Sequence, residues 1–314
     1  MIGSVLGQVT GQLEKRFVLN ALFPTLAFAI AMLLAVSAAM DSGPLAVVES
    51  WEADSTSAKV LITIGGVAAI FLAANLLSNG MQSVIRLFEG YGVWPPFIAK
   101  LARRRQLARA QALIKKAETT NKDGAKREAA KDRFEVTFPV YPETLGVAHV
   151  LPTRLGNILK SAETYAASRY RADSVRLWSR LYPLLPDPIT SSMVSARTSM
   201  EFLLAVSFLA GIYAPLASIY LIVQSGPLVW ILATLVAGTV VSIAAYHASL
   251  QPAMVYGEMI RVAFDLHRLD LVKAMAKPVP TSLAAEEATW KELHLLFKRG
   301  RRDPAWHYAF PPGE

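Results

Sequence analysis

Charge disappears from the chain four times. Residues 17–40, 60–85, 202–223 and 228–250 contain no Asp, Glu, Lys or Arg. Each run meets or exceeds the roughly 20 apolar residues that cross a hydrocarbon core as a helix. Lipid offers the backbone no partners, so a spanning segment must satisfy its own amides. Leu, Ala, Ile and Val fill the runs without the alternation of a barrel strand. The pattern predicts an all-α integral membrane protein with four transmembrane helices. Pro24 in the first run and Pro215 in the third each remove a backbone donor and predict kinks. In the fourth run Ala233 and Ala237, and then Gly238 and Ser242, stand four apart, the spacing that lets membrane helices approach closely.

The intervening parts carry a different pattern. Residues 1–16 place Ile2, Val5, Leu6, Val9 and Leu13 at helical spacing, which predicts an amphipathic interfacial helix. Gly3, Gly7 and Gly11 recur on another side of it, either as a packing face or as glycines tolerated at a fraying end. Residues 86–199 form an insert that reads as mainly helical. Its first helix is expected over 97–133, with a break at 119–124 and a thin apolar side of Leu101, Ala108, Leu113, Ile114 and Ala117. Phe134 to Tyr141 alternates apolar and polar residues until Pro139 intervenes, so a short β-hairpin with 147–151 is allowed for near 134–151. Beyond it, Leu155, Ile158, Leu159 and Ala162 give one helical face, and Val175, Trp178, Leu181 and Tyr182 give a second, opened by Asp173. The tail, 251–314, predicts a helix over 253–277, with Arg261, Asp265 and Arg268 as a ladder of ion pairs, and another over 281–297.

Charge then sets the orientation. Residues 86–198 hold 20 Lys and Arg against 10 Asp and Glu, whereas 41–58 holds four acidic residues and no basic one. Basic loops stay on the cytoplasmic side. The N-terminus, the insert and the tail are therefore expected inside, with the loop at 41–58 outside. Sixteen residues precede the first apolar run, which favours a retained span over a cleaved signal segment. The overall net charge of +8 follows from the same loops.

Candidate chemistry is sparse. Asn75, Asn79, Gln82 and Arg86 recur at spacings of four, three and four along the second run, which puts them on one helical face. Two readings are open: a pore or vestibule lining, or interhelical hydrogen bonding with Arg86 reaching the interface. Arg103, Arg104, Arg105, Arg154, Arg176 and Arg180 are candidates for contact with lipid headgroups or a soluble anion. The run around Arg103–Arg105 lacks interleaved aromatics, so nucleic acid is not expected. With no cysteine, thiolate catalysis and cysteine-ligated metals are excluded. No phosphate loop, nucleophile elbow, dinucleotide fingerprint or H-x-x-x-H pair occurs, so no enzyme, cofactor or metal is expected. No run holds a central ionisable residue of the kind a proton-coupled carrier needs.

The string Leu151-Pro-Thr-Arg-Leu-Gly-Asn157, with Phe264-Asp-Leu-His-Arg268 after the last apolar run, resembles a family of four-span bacterial inner-membrane proteins. The resemblance implies that setting. It carries no established activity and no functional residues.

Together these patterns predict an oligomeric membrane pore or membrane-acting effector gated through a basic cytoplasmic layer. Four helices enclose too little room for an aqueous path, so that reading requires a homo-oligomer. Anionic lipids and an anionic small-molecule signal or cytoplasmic protein are the expected partners. The alternative is a non-catalytic scaffold or anchor that recruits a cytoplasmic partner.

Overall fold

The computed structural model describes residues 16–39, 51–52, 55–92, 94–119, 124–139 and 149–300. The helices are α1 (Phe23–Ser37), α2 (Thr56–Glu89), α3 (Pro96–Thr119), α4 (Gly124–Thr137), α5 (Arg154–Tyr170), α6 (Ser174–Leu181), α7 (Asp187–Val223), α8 (Leu228–Ala274) and α9 (Leu283–Arg299). Four helical segments, Val18–Ser37, α2, α7 and α8, are long and apolar enough to cross a membrane. The chain divides into two compact units, Met1–Arg86 with Thr198–Gln251 and Leu87–Arg197 with Pro252–Glu314.

In the first unit, α1 is preceded by a π-helical turn, Val18–Leu22, closed by a bond from the Phe23 amide to the Val18 carbonyl. Pro24 explains the wide turn. It offers no N–H to the carbonyl four residues back, and a five-residue register avoids both that loss and the ring clash. α7 and α8 approach closely where side chains are smallest. A Cβ on Gly238 would stand 2.8 Å from the Ala214 Cβ. Ser207 and Ser242 each donate to the other's carbonyl at 2.8 Å, and the Ser218 and Thr234 hydroxyls lie 3.1 Å apart. Helix hydroxyls used in this way tie apolar helices together without leaving polar groups in hydrocarbon. Pro215 lies within α7 and Pro252 within α8, and both helices continue through them.

The second unit is built on caps and one apolar core. Thr153 caps α5 by accepting from the Gly156 amide, Asp173 caps α6 and Ser282 caps α9. The Asn157 side chain is fully buried. It accepts from the Leu151 amide and donates to the carbonyls of Leu151 and Thr153, at 2.7–2.9 Å. A Cβ on Gly156 would collide with the Glu89 carbonyl, and one on Gly90, whose φ is +92°, would meet Pro152. The Leu151–Asn157 string thus clamps its own loop and seats α5 on the end of α2. Leu177, Leu181, Met193, Phe264, Leu271, Trp290 and Leu293 form the core. A second cluster gathers Ala110 of α3, Phe138 and Val150, with Leu107, Leu113 and Phe134 against it.

Several expectations are corrected. The described residues contain no strand, and Phe134–Thr137 ends α4 as helix. The alternation there places Phe134 and Phe138 one helical turn apart, stacked at 5.8 Å, and burial of that pair decides for helix. Residues 140–148 lie outside the described residues, as do the predicted helix and glycine face at 1–15. The buried side of α3 is Gln106 and Ala110 with Leu107 and Leu113, while Leu101 points outward. Val175 is exposed, and Leu177 takes its expected place in the core. The helix expected from 253 is the continuation of α8 rather than a separate element. Arg261, Asp265 and Arg268 do not form a ladder with one another, because each is claimed by another helix.

Candidate functional site

The stripe on α2 lies opposite that helix's packed side. Ala74, Leu77, Met81, Val84 and Ile85 are buried, while Asn79, Gln82 and Arg86 are exposed and Asn75 is half-buried. The two asparagines satisfy their amides locally: Asn75 Nδ2 donates to the Phe71 carbonyl at 2.8 Å and Asn79 Nδ2 to the Asn75 carbonyl at 3.0 Å. Their carboxamides therefore lie along their own helix. α2 is also the least covered of the four apolar helices, with 11% of its most apolar stretch buried against 33% for α7.

A second polar cluster joins the start of the first apolar helix to α7. Arg16 donates to Glu201 Oε2 at 2.7 Å, and Asn20 Nδ2 donates to the same oxygen at 3.1 Å. Glu201 is 5% exposed at its side chain, and a carboxylate buried that far is tolerable only when paired. The carboxylate accepts but cannot donate, which fixes the Asn20 amide with nitrogen toward it. Asn20 Oδ1 is left buried without a partner, as is Thr25 Oγ1. The sequence signal was present in Asn20, four residues after Arg16 inside an apolar run, but the partner lies 181 residues away. A few turns further along, Pro24, Phe28, Ala210, Tyr213 and Gly238 line an apolar cavity of about 320 Å³ between α1, α7 and α8.

In the second unit the polar residues hold one another. The Asp265 carboxylate accepts from the Tyr165 hydroxyl at 3.0 Å and the Tyr170 hydroxyl at 2.7 Å. Burial and then the hydrogen bond to Asp265 raise the pKa of both tyrosines above the ordinary value. Arg261 donates to Ser161 at 2.8 Å and to the Glu135 carbonyl at 3.2 Å. Arg268 bonds Glu286 at 2.8 Å and stacks 3.8 Å from the Tyr170 ring centroid. Trp290 Nε1 donates to the same Glu286 oxygen at 3.0 Å. His267 Nδ1 and Asp270 stand 3.0 Å apart. Among the described residues, no three His, Asp or Glu side chains gather as a metal set.

The six candidate anion-binding arginines are spread over three helices. Arg176 pairs with Asp173, and Arg180 bonds the Arg176 carbonyl and lies 3.9 Å over the Phe297 ring. Burial opposes the Asp173 charge, but hydrogen bonds from Arg176 and the charges of Arg176 and His294 outweigh it and lower its pKa. Arg154 is exposed at the first turn of α5. Arg103 is half-buried on α3 with its Nε unpartnered, whereas Arg104 and Arg105 face outward. Gly238 and Ser242 lie in the α7–α8 contact described above. Comparison with family models, with curated proteins and with solved structures finds no match to this chain.

Proposed function

We propose that this chain forms a homo-oligomeric pore, or a pore-like membrane effector, in a bacterial inner membrane, with both termini and the basic second unit on the cytoplasmic side. The observation that carries the reading is the outward stripe of Asn75, Asn79, Gln82 and Arg86. In a lone subunit surrounded by lipid, Asn79 and Gln82 would face outward within the last turns of the apolar stretch, a costly place for polar groups, and Arg86 would stand at its end. Copies of α2 arranged around an axis would turn them toward each other or toward water. The excess of 20 basic over 10 acidic residues across 86–198 supports the orientation and a response to an anionic signal.

Planar-bilayer recording from the purified protein tests the proposal. Discrete currents are expected, with altered conductance and ion preference after Gln82→Leu and Arg86→Gln. Currents indifferent to both substitutions would remove the stripe from any conducting path, and a strict monomer in mild detergent would remove the pore.

A non-catalytic scaffold is the second reading. It is favoured by large apolar side chains left exposed in the second unit, among them Val175, Leu184 and Leu283. A stable protein partner retained on purification, without conductance, would decide for it.

A further inference from the structure

The geometry points to an anchor that reads the membrane surface: the outward face of the first turns of α3 inserts Phe97 and Leu101 into the interface of an anionic leaflet, while Lys100, Arg104 and Arg105 take lipid phosphates. It rests on the reading of α2 as a spanning helix.

The two sides of α3 are already divided between different tasks. Gln106 and Ala110, with Leu107 and Leu113, are spent against Phe134, Phe138 and Val150. The opposite side is bare. Phe97 is 73% exposed and Leu101, one helical turn on, is 52% exposed. Tyr91 and Trp94 are exposed just before them. Trp94 Nε1 makes a long hydrogen bond, 3.5 Å, to the carbonyl of Leu87. That carbonyl lies one residue beyond Arg86, where the apolar stretch of α2 has ended. With α2 read as spanning, this stretch falls where an aromatic belt forms, at the level of the headgroups.

Charge identifies the occupant. Between Pro96 and Ala117 there are seven Lys and Arg and no Asp or Glu. Lys100, Arg104 and Arg105 form no ion pair among the described residues. An apolar stripe flanked by unpaired cations, following directly on a spanning helix, matches a surface that is apolar beneath and anionic on top. An apolar protein groove would supply the first property without the second, and a bare phosphate backbone the second without the first.

The test uses the absence of cysteine from the native chain. Single variants Phe97→Cys, Leu101→Cys, Val67→Cys and Leu72→Cys of the full-length protein are spin-labelled and placed in nanodiscs. The nanodiscs hold either phosphatidylcholine alone or equal parts phosphatidylcholine and phosphatidylglycerol. Collisional relaxation by oxygen reports lipid, and relaxation by a water-soluble nickel chelate reports solvent. With phosphatidylglycerol present, labels at 97 and 101 are expected to relax with oxygen and be shielded from nickel. Adding Arg104→Gln and Arg105→Gln, or removing phosphatidylglycerol, should raise nickel access several-fold. Nickel-accessible labels at 97 and 101, with oxygen-accessible labels at 67 and 72, would sink the anchor alone. Shielding from both relaxants would mean a protein contact on this face and would equally overturn it. So would shielding that needs a single-stranded RNA oligonucleotide rather than phosphatidylglycerol. Nickel-accessible labels at 67 and 72 would sink the spanning reading of α2 and the anchor with it.

Discussion

Polar side chains in the two units are treated in opposite ways. Around Asp265, Arg268 and Glu286 in the second unit, each charged group is met by a side chain from another helix: Asp265 by Tyr165 and Tyr170 from α5, and Arg268 of α8 and Glu286 of α9 by each other. On α2 the amides of Asn75 and Asn79 turn back to carbonyls of their own helix, and Gln82 and Arg86 face outward. The first arrangement uses polarity to fix a fold. The second leaves polarity available. Function in this chain is therefore to be sought where its own helices do not meet a polar group's needs, and substitutions should separate the two classes cleanly.

The largest effect is expected at Glu286. Its carboxylate is the shared acceptor for Arg268 and Trp290, and the two ion-paired side chains are 6% and 16% exposed. Glu286→Ala leaves a nearly buried guanidinium and an indole N–H unpaired, a loss of about 3–5 kcal/mol. Thermal unfolding in detergent should show a markedly lower midpoint, and limited proteolysis should cut the second unit first. Asn157→Ala comes next. It strands the Leu151 amide and two carbonyls inside the clamp before α5, for about 2–3 kcal/mol. Asn157→Asp should be damaging too, because it replaces two donated bonds with carboxylate–carbonyl repulsion. An unfolding midpoint within a degree of the native value for either variant would show that the clamp contributes nothing.

The tyrosine pair predicts a smaller, pH-dependent effect. Unfolded tyrosines ionise near a pH of about 10. In the folded chain, burial and the Asp265 carboxylate hold both hydroxyls protonated to higher pH. The folded state thus keeps protons that the unfolded state gives up. Stability from this source is full below about pH 10 and falls as pH rises toward the folded values. Unfolding midpoints measured between about pH 9 and 11 should decline, and the combined variant Tyr165→Phe, Tyr170→Phe should decline less steeply from a lower start. An equal slope in both proteins would show that the pair does not couple folding to pH.

What the sequence disclosed follows from the range of the forces involved. The four apolar runs are local properties of composition, so four helices able to span a membrane are legible, and so is the start of α6 at Asp173. Where the expected and actual structures part, the deciding contact is distant. Phe134 lies in the last turn of α4, with Phe138 just beyond it, because α3 and Val150 bury the pair. Arg261 leaves the expected ladder for Ser161, 100 residues away, and Glu201 meets Arg16 across 185. No periodicity announces such a pairing. The stripe on α2 is the converse case. Its residues share a face by helical spacing alone, and nothing in spacing says whether that face is covered.

The smallest effect on folding is expected at that stripe, which makes it the sharpest test of the contrast between the units. Asn79→Leu and Gln82→Leu replace exposed groups that make no bond to another helix among the described residues, so each should change stability by less than about 0.5 kcal/mol. If subunits meet along α2, the same substitutions should alter the oligomer seen by native mass spectrometry, or its conductance. An unfolding midpoint that drops as far as for Glu286→Ala would mean that the stripe is structural after all. Unchanged stability with an unchanged oligomer and unchanged current would mean that the face meets only lipid. Conductance or assembly lost at constant stability is the outcome that assigns the stripe to contacts beyond its own chain.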